Sequence, residues 1–464
     1  MFSAQTYQQR RSKLLENVES GLLLFLGNIE NPINFEHNTY AFRQDSTFLY
    51  YFGIKEPNLA AIIDVDNQRT IVFGNELNID QIVWMGRQET LREKCDKAGV
   101  VDCQPFSALG DYLDKAALSG QRVHYLPPYQ SFNKILLSDL LHTPIAKLTA
   151  SVPFIKAVVA QRAIKEEQEI VQIEEALRIS VDMHLLAMKI SKPGMKEMEV
   201  ANAIRHLAAD QAAPLAYPPI VTIRGEILHN SYQFNTLKEG DMLLNDSGAE
   251  TSMGYAGDLT RTFPVGRRFS NKQREIYDVV LKSFTDARAL LRPGISFKEV
   301  HIQACESLVA GLVDLGLMKG DPKEAVRQHA HTLFFQCGLG HMMGLDVHDM
   351  EDLGEQYVGY TDDEPKDTQT FGLKSLRLGR KLETGFVVTV EPGVYIIPEL
   401  IDRWQAENKL ADFINYDQVN AYRDFGGIRI EDNFLITESD YRLLGPELAK
   451  TADDIEKLRL AYVL

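Results

Sequence analysis

Four carboxylates stand where a strand would normally be apolar. Asp246 closes the run LLND, Glu391 closes VVTVE and Glu431 closes IRIE, while Asp258 follows a glycine turn in GYAGDLTRTF. Burying an unneutralised carboxylate among β-formers is costly, so a set of four calls for a cation. Any one of them could be a salt-bridged strand end, but the offsets repeat. Gly240 precedes Asp246 by six residues and Gly385 precedes Glu391 by six, while Gly254 precedes Asp258 by four and Gly427 precedes Glu431 by four. The segment FFQCGLGHMMGLDVHDME adds imidazoles at His341 and His348 in a glycine-rich, apolar setting. Alone, His341 reads more readily as a hydrogen-bonded core residue than as a ligand. With the four acids it completes an oxygen-rich donor set, unlike the sulfur-rich tetrahedral set of a structural zinc, that favours two harder ions such as manganese. Two ions about 3.5–4 Å apart could share bridging carboxylates and activate a water for metal-assisted hydrolysis.

Other chemistries fit poorly. GLGHMMG is GxGxxxG and not the dinucleotide fingerprint, and neither GxSxG nor a Walker lysine motif occurs. Cys337 lies near His341 but lacks a partner for nucleophilic duty, so a buried small thiol is expected. Against 49 Lys+Arg stand 65 Asp+Glu, a formal net charge of −16, which argues against nucleic acid and anionic lipid as partners. The apolar run Leu22 to Leu26 is far short of the ~20 residues that span a bilayer and reads as a core strand. Four cysteines without a CxxC give no disulfide framework, so a cytoplasmic chain with reduced thiols is expected.

The elements that must position this set fall into two domains. From Tyr7 to about Val152, LAAIIDVD and RTIVFG read as strands with a turn at Asn67-Gln68, and helical patterns run over Ile79 to Trp84 and Ala108 to Ala116. Pro153 interrupts the pattern just before RAIKEEQEIVQIEEALRIS, whose apolar Ile164, Ile170, Ile173, Ala176 and Leu177 predict a long amphipathic helix opening a second domain. The division is placed at 1–155 and 156–464. Within the second domain Lys192-Pro193-Gly194 with Glu199-Val200 recurs as Arg292-Pro293-Gly294 with Glu299-Val300, a shift of 100 residues. Two such copies predict a duplicated αβ unit and not a solenoid.

In the order Asp, Asp, His, Glu, Glu, the segments NDSGAE, GYAGDLTRTF, GLGHMMGLDVHD, TVEPGVY and GIRIED resemble the proline-specific metallopeptidases of the pita-bread fold, aminopeptidase P and prolidase. FRQDSTFLYYFGIKEP with IIDVD is similar to that family's front domain, so the resemblance covers nearly the whole chain. It implies a small N-terminal α/β domain followed by a duplicated αβ (α+β) catalytic domain. It also implies two Mn2+ ions on Asp246, Asp258, His341, Glu391 and Glu431, and hydrolysis of the bond before a proline at position two of a peptide or dipeptide. By local match His229 in GEILHN and His348 in DVHD would donate hydrogen bonds at the scissile carbonyl, and Glu391 would also shuttle the proton. Tyr395 and Arg429 match residues near the metals, Arg429 by resemblance and not by strand parity. Arg377, fourteen residues before Glu391, matches the arginine with which eukaryotic-type prolidase binds the dipeptide carboxylate.

The sequence departs from the family twice. Asp246 and Asp258 are twelve apart, one more than usual, which predicts a longer hairpin turn outside the site. Cys337 replaces the first histidine of an HGLGH motif, a substrate contact and not a ligand. Members commonly assemble as homo-oligomers through the front domain, and that is expected here. Two rival readings are a metal-free pita-bread interaction module and a methionine aminopeptidase-like enzyme. The full ligand set speaks against the first and the large front domain against the second.

Overall fold

Short apolar runs alternating with helical stretches before residue 150 build a five-stranded sheet in the computed structural model, which describes residues 1–462. Its strand order is Asp102–Gln104, Arg69–Phe73, Ala60–Asp64, Leu22–Leu26, Val123–Tyr125. The inner pairs are antiparallel and the two outer pairs parallel. Leu22–Leu26 is apolar at every position because both faces of the sheet are covered. Leu22 and Leu24 pack with Ile62, Ile71, Leu109 and Leu113 on one side. On the other, Phe25 meets Tyr51, Phe52 and Phe154. Arg10 and Arg11 are buried, donating to the carbonyls of Tyr50 (3.0 Å) and Tyr51 (2.8 Å). This first unit comprises Met1–Arg162 with Glu351–Tyr357.

Pro153 does not interrupt the chain. It is the second residue of helix Val152–Arg162, where a proline forfeits no helical hydrogen bond, so residue 155 lies inside a helix. The charged stretch begins its own helix later than expected, at Glu167, and runs to Ile190. Glu169 turns back to accept from the Glu166 N–H (3.0 Å), the reciprocal bond of a capping box. Ile164 falls ahead of this helix, next to Lys165, whose N–H donates to Gly385 O (2.9 Å). Ile170, Ile173, Ala176 and Leu177 form its buried stripe.

The second unit, Ala163–Met350 with Val358–Leu464, is a duplicated αβ structure. Gly194 and Gly294 occupy equivalent turns at φ 93° and 85°, a region costly for any residue with a Cβ. Their N–H groups donate to Leu237 O and Leu382 O, 2.8 Å each. Each turn starts a helix, Glu197–Asp210 or Phe297–Asp314, packed against its predecessor, Glu167–Ile190 or Asn271–Arg288. Each half then supplies the strands of one acid pair: Met242–Asp246 between Ile220–Thr222 and Thr260–Pro264, and Val387–Val390 beside Asp432–Ile436. No helix among the described residues is long and apolar enough to cross a membrane.

Candidate metal centre

Strand register brings the four acids together. Asp246, last residue of its strand, lies opposite Thr260, first residue of the next. Asp258 precedes Thr260 by two, hence on the same face. Thr260 also bridges to the other half: its carbonyl accepts from the Glu431 N–H at 3.0 Å. Asp432, next in the chain, pairs with Val390, immediately before Glu391. His341 is laid beside this last strand, its carbonyl accepting from Thr389 N–H (3.0 Å) and its N–H donating to Thr389 Oγ1 (3.1 Å). A side chain at Gly340 would put its Cβ 2.1 Å from Thr389 O, so glycine is required for that approach.

The side chains converge accordingly. His341 Nδ1 donates to Met342 O at 2.9 Å, which turns Nε2 toward the acids as the nitrogen a metal would take. Nε2 is 3.3 Å from Asp258 Oδ2 and 3.8 Å from Glu391 Oε1. Donor atoms of Asp258, His341 and Glu431 all lie within 4.8 Å of one another. Tyr217 Oη reaches Asp246 Oδ1 (2.7 Å) and Asp258 Oδ1 (2.5 Å). Thr260 Oγ1 donates to Glu431 Oε2 (2.7 Å) and accepts from Arg429 Nε (3.2 Å). Arg429 also pairs with Asp246 and donates to Tyr395 Oη at 2.9 Å. Behind the ligands, Arg261 donates to Glu431 O and Asp432, and Asn433 to Asp258 O. The Glu391 side chain is 22% exposed against 12% for Asp246 and 7% for Asp258, so it stands on the open side.

The charge balance leaves a deficit. Four carboxylates face one guanidinium and one imidazole. Burial pushes Glu431 well above the usual carboxylate range, with the charges of Asp258, Glu391 and Asp246 adding to it, and burial likewise raises Asp246 against the pull of Arg429. Burial lifts Glu391 to about 7 although His341 and Arg429 oppose it. His341 moves the other way: burial disfavours its charged form, but Asp258 and Glu391 outweigh that and raise it to about 9. Each shift describes acids short of positive charge. Glu431 Oε1 is buried with no hydrogen-bond partner among the described residues, an acceptor aimed into the cluster. The five residues fit an oxygen-rich site for divalent cations.

The remaining expected residues divide. His348 stacks on His341 with ring centroids 4.0 Å apart. Its neighbour Asp349 is anchored by a buried ion pair with Lys165 (3.1 Å) and by its N–H to Met342 O (2.9 Å). Tyr395 and Arg429 are inside the cluster. Strand parity alone would have carried Arg429, since residues 429 and 431 lie two apart and both side chains meet Thr260 Oγ1. His229 is not gathered in: it is exposed on the loop after Ile220–Thr222. Arg377 is half-buried after the short 3-10 helix Leu373–Ser375. The turn between the two aspartates is a small hairpin, Glu250 bridging Ala256, with Ser252 exposed at its tip. Cys337 is half-buried, not buried. Its thiol is pushed up to about 12 by burial and the charge of Glu391, which keeps it protonated at neutral pH.

Two members of the cluster, Thr260 and Tyr217, lie outside the set expected from the sequence. Thr260 was legible, two residues after Asp258 on the same face. Tyr217 was not, because it sits in the proline-rich YPP segment and reaches the acids only through the fold.

The family model of metallopeptidase family M24 matches residues 171–438, and that of the aminopeptidase P N-terminal domain matches residues 7–124. The chain is 31% identical over 474 residues to an Xaa-Pro aminopeptidase of Escherichia coli (strain K12), covering 99% of this chain and 98% of that one. It is 30% identical over 430 residues to an Xaa-Pro dipeptidase of Homo sapiens, covering 89% and 84%. Among solved structures, Escherichia coli aminopeptidase P in complex with substrate superposes with a TM-score of 0.81 at 31% identity over 99% of each chain.

Proposed function

The chain belongs to metallopeptidase family M24, and from that membership and the acid cluster we propose that it hydrolyses the bond between an N-terminal residue and a following proline, as an Xaa-Pro aminopeptidase or Xaa-Pro dipeptidase. The observation that carries this reading is the convergence of four carboxylates, three of them buried, on His341 Nε2, with more negative charge than the neighbouring cations offset. Asp246, Asp258, His341, Glu391 and Glu431 would hold two divalent ions, manganese by preference because the donors are almost all oxygen. Bound there, the ions would polarise the scissile carbonyl and lower the pKa of a water.

The chain's own residues do the rest. Glu391, the most open of the three acids compared above, takes a proton from the attacking water and returns it to the leaving proline nitrogen. His348, held against His341 by stacking, and His229, accessible on its loop, donate hydrogen bonds to the oxygen on which negative charge develops. Arg429 holds Asp246 and Tyr395 in place, with Thr260 tying it to Glu431. Arg377 offers a fork to the free carboxylate of a dipeptide.

A cytoplasmic setting fits four cysteines that are all free thiols. Homo-oligomers fit helix Ile79–Met85, none of whose residues is buried within the chain and whose Trp84 is 87% exposed. Hydrolysis of an Xaa-Pro dipeptide and an Xaa-Pro-Yaa tripeptide, with Mn2+ supplied, tests the function. If the metal-loaded protein cleaves neither, the proposal fails.

A further inference from the structure

A second group of metal-type ligands is gathered in the same unit, apart from the acids. His301 and Cys305 lie four residues apart on helix Phe297–Asp314, so they share one face. His331 sits on the short 3-10 helix Ala330–Leu333, packed against that helix. Donor atoms of the three residues lie within 4.8 Å of one another, and the residues are 1%, 0% and 1% exposed.

The bland account is a pair of neutral core histidines beside a buried thiol. Core imidazoles ordinarily satisfy both nitrogens. His184, equally buried in this unit, does so with Asn245 Nδ2 and Ser247 O, both at 3.1 Å. At the second cluster, Nδ1 of His301, of His331 and of neighbouring His329 is buried with no hydrogen-bond partner among the described residues. A buried nitrogen without a partner is costly, so Nδ1 of His331 and of His329 is open to a ligand, while His301 faces Cys305 through its other nitrogen, Nε2. His329 moreover holds φ 61°, an uncommon backbone for a residue with a side chain, at the head of the turn that presents His331.

The spacing suits an ion. Tetrahedral coordination with bonds of ~2.3 Å to a thiolate and ~2.0 Å to an imidazole nitrogen separates sulfur from nitrogen by roughly 3.5 Å. His301 Nε2 and Cys305 Sγ are 3.6 Å apart. One sulfur and two nitrogens make a softer set than the five-residue acid cluster, selecting zinc or copper(I) over manganese.

We propose that His301, Cys305 and His331 form a second metal site of this chain, a buried Cys-His-His site for a zinc-class ion, with neighbouring His329 as the fourth donor that tetrahedral coordination calls for. Its ring centroid is 6.2 Å from that of His331. Loading replaces the Cys305 thiol proton, released to solvent, with a metal–sulfur bond. The ion cross-links helix Phe297–Asp314 to the segment that runs on from His331 to His341. That segment is itself held at Phe334 O by Tyr395 N–H (2.8 Å). The role is structural, steadying the arm that delivers His341.

Cobalt(II) is the probe, because a thiolate-to-cobalt charge-transfer band in the near ultraviolet reports sulfur ligation and the acid cluster contains no sulfur. The full chain, its acid site first filled with Mn2+, is titrated with Co2+. The band is expected to rise to saturation in the wild type and in Cys337→Ala, to be erased by Zn2+, and to be lost in Cys305→Ser. Loss is expected in His331→Gln as well, which serves if the serine variant does not fold. Absence of the band from folded wild type overturns the proposal. So does a band that survives Cys305→Ser and disappears in Cys337→Ala. The readout is independent of peptide hydrolysis, so its failure is distinguishable from failure of the proposed activity.

Discussion

Thr260→Val separates the metal reading from a purely structural account of the acid cluster. Thr260 is buried at the seam between the two halves, opposite Asp246 in one ladder and bridged to Glu431 across to the other. Valine keeps its shape and both backbone hydrogen bonds but removes the hydroxyl. Two bonds go with it, the one to Glu431 Oε2 at 2.7 Å and the one from Arg429 Nε at 3.2 Å. Glu431 Oε1 already lacks a partner among the described residues, so the variant removes the one side-chain hydrogen bond described for this carboxylate. A hydrogen bond to a charged group is worth about 1.5–3 kcal/mol. At 1.4 kcal/mol per factor of ten, losing one weakens metal binding by roughly 10–100-fold. Calorimetric titration of chelator-stripped protein with Mn2+ reads this directly. Thr260→Ser should stay near wild type. If Thr260→Val binds Mn2+ as tightly as wild type while remaining folded, Glu431 is not a ligand held by this hydroxyl.

Three further outcomes follow from the same geometry. Asp258→Ala should lose both metal content, measured by elemental analysis, and all hydrolysis, whereas Glu391→Gln should slow turnover by roughly 10²–10⁴-fold, the usual worth of a general acid–base; a fully metallated, fully active Asp258→Ala would refute the ligand assignment. Arg377→Ala should cost about 10–100-fold in kcat/KM on an Xaa-Pro dipeptide, the loss of one charge-assisted contact, and leave an Xaa-Pro-Yaa tripeptide unaffected; equal losses on both substrates would remove it from carboxylate binding. Burial, with the charge of Arg261 adding, lowers His184 to about 4, below its unfolded value of about 6.5. The unfolded chain therefore binds more protons between those values, and the contribution present above pH 6.5 is lost as pH falls toward 4, by up to ~1.4 kcal/mol per unit. Urea midpoints at neutral and mildly acid pH should show a steeper acid loss in wild type than in His184→Gln, and identical slopes would contradict the buried neutral ring.

The acids were readable in the sequence because their positions follow from two short-range regularities, glycine turns at fixed offsets and the two-residue alternation of strands. Thr260 and Arg429 obey the second rule as strictly as Asp258 and Glu431 do, and their approach to the acids needed no further information. What short-range rules miss is a partner delivered from a distance. Tyr217 meets Asp258 across 41 residues of chain, from a proline-rich segment whose composition marks only a loop. Pro153 shows the opposite failure. Read as a break, it sits in the first turn of a helix, because the residue type fixes φ without saying which end of an element it occupies. The second ligand group combines both cases. The i,i+4 spacing of His301 and Cys305 is visible to anyone who assigns the helix, but a pair at that spacing is ordinary until tertiary packing sets His331 beside it. The same chain segment, 331–341, then joins that group to the acid cluster. A prediction follows that neither cluster makes alone: if an ion at His301, Cys305 and His331 steadies the arm carrying His341, the wild type should bind Mn2+ more tightly with Zn2+ present at that second site than without it. Cys305→Ser should bind Mn2+ with one affinity under both conditions. Equal Mn2+ affinity in wild type with and without Zn2+ would confine the second site to local stability.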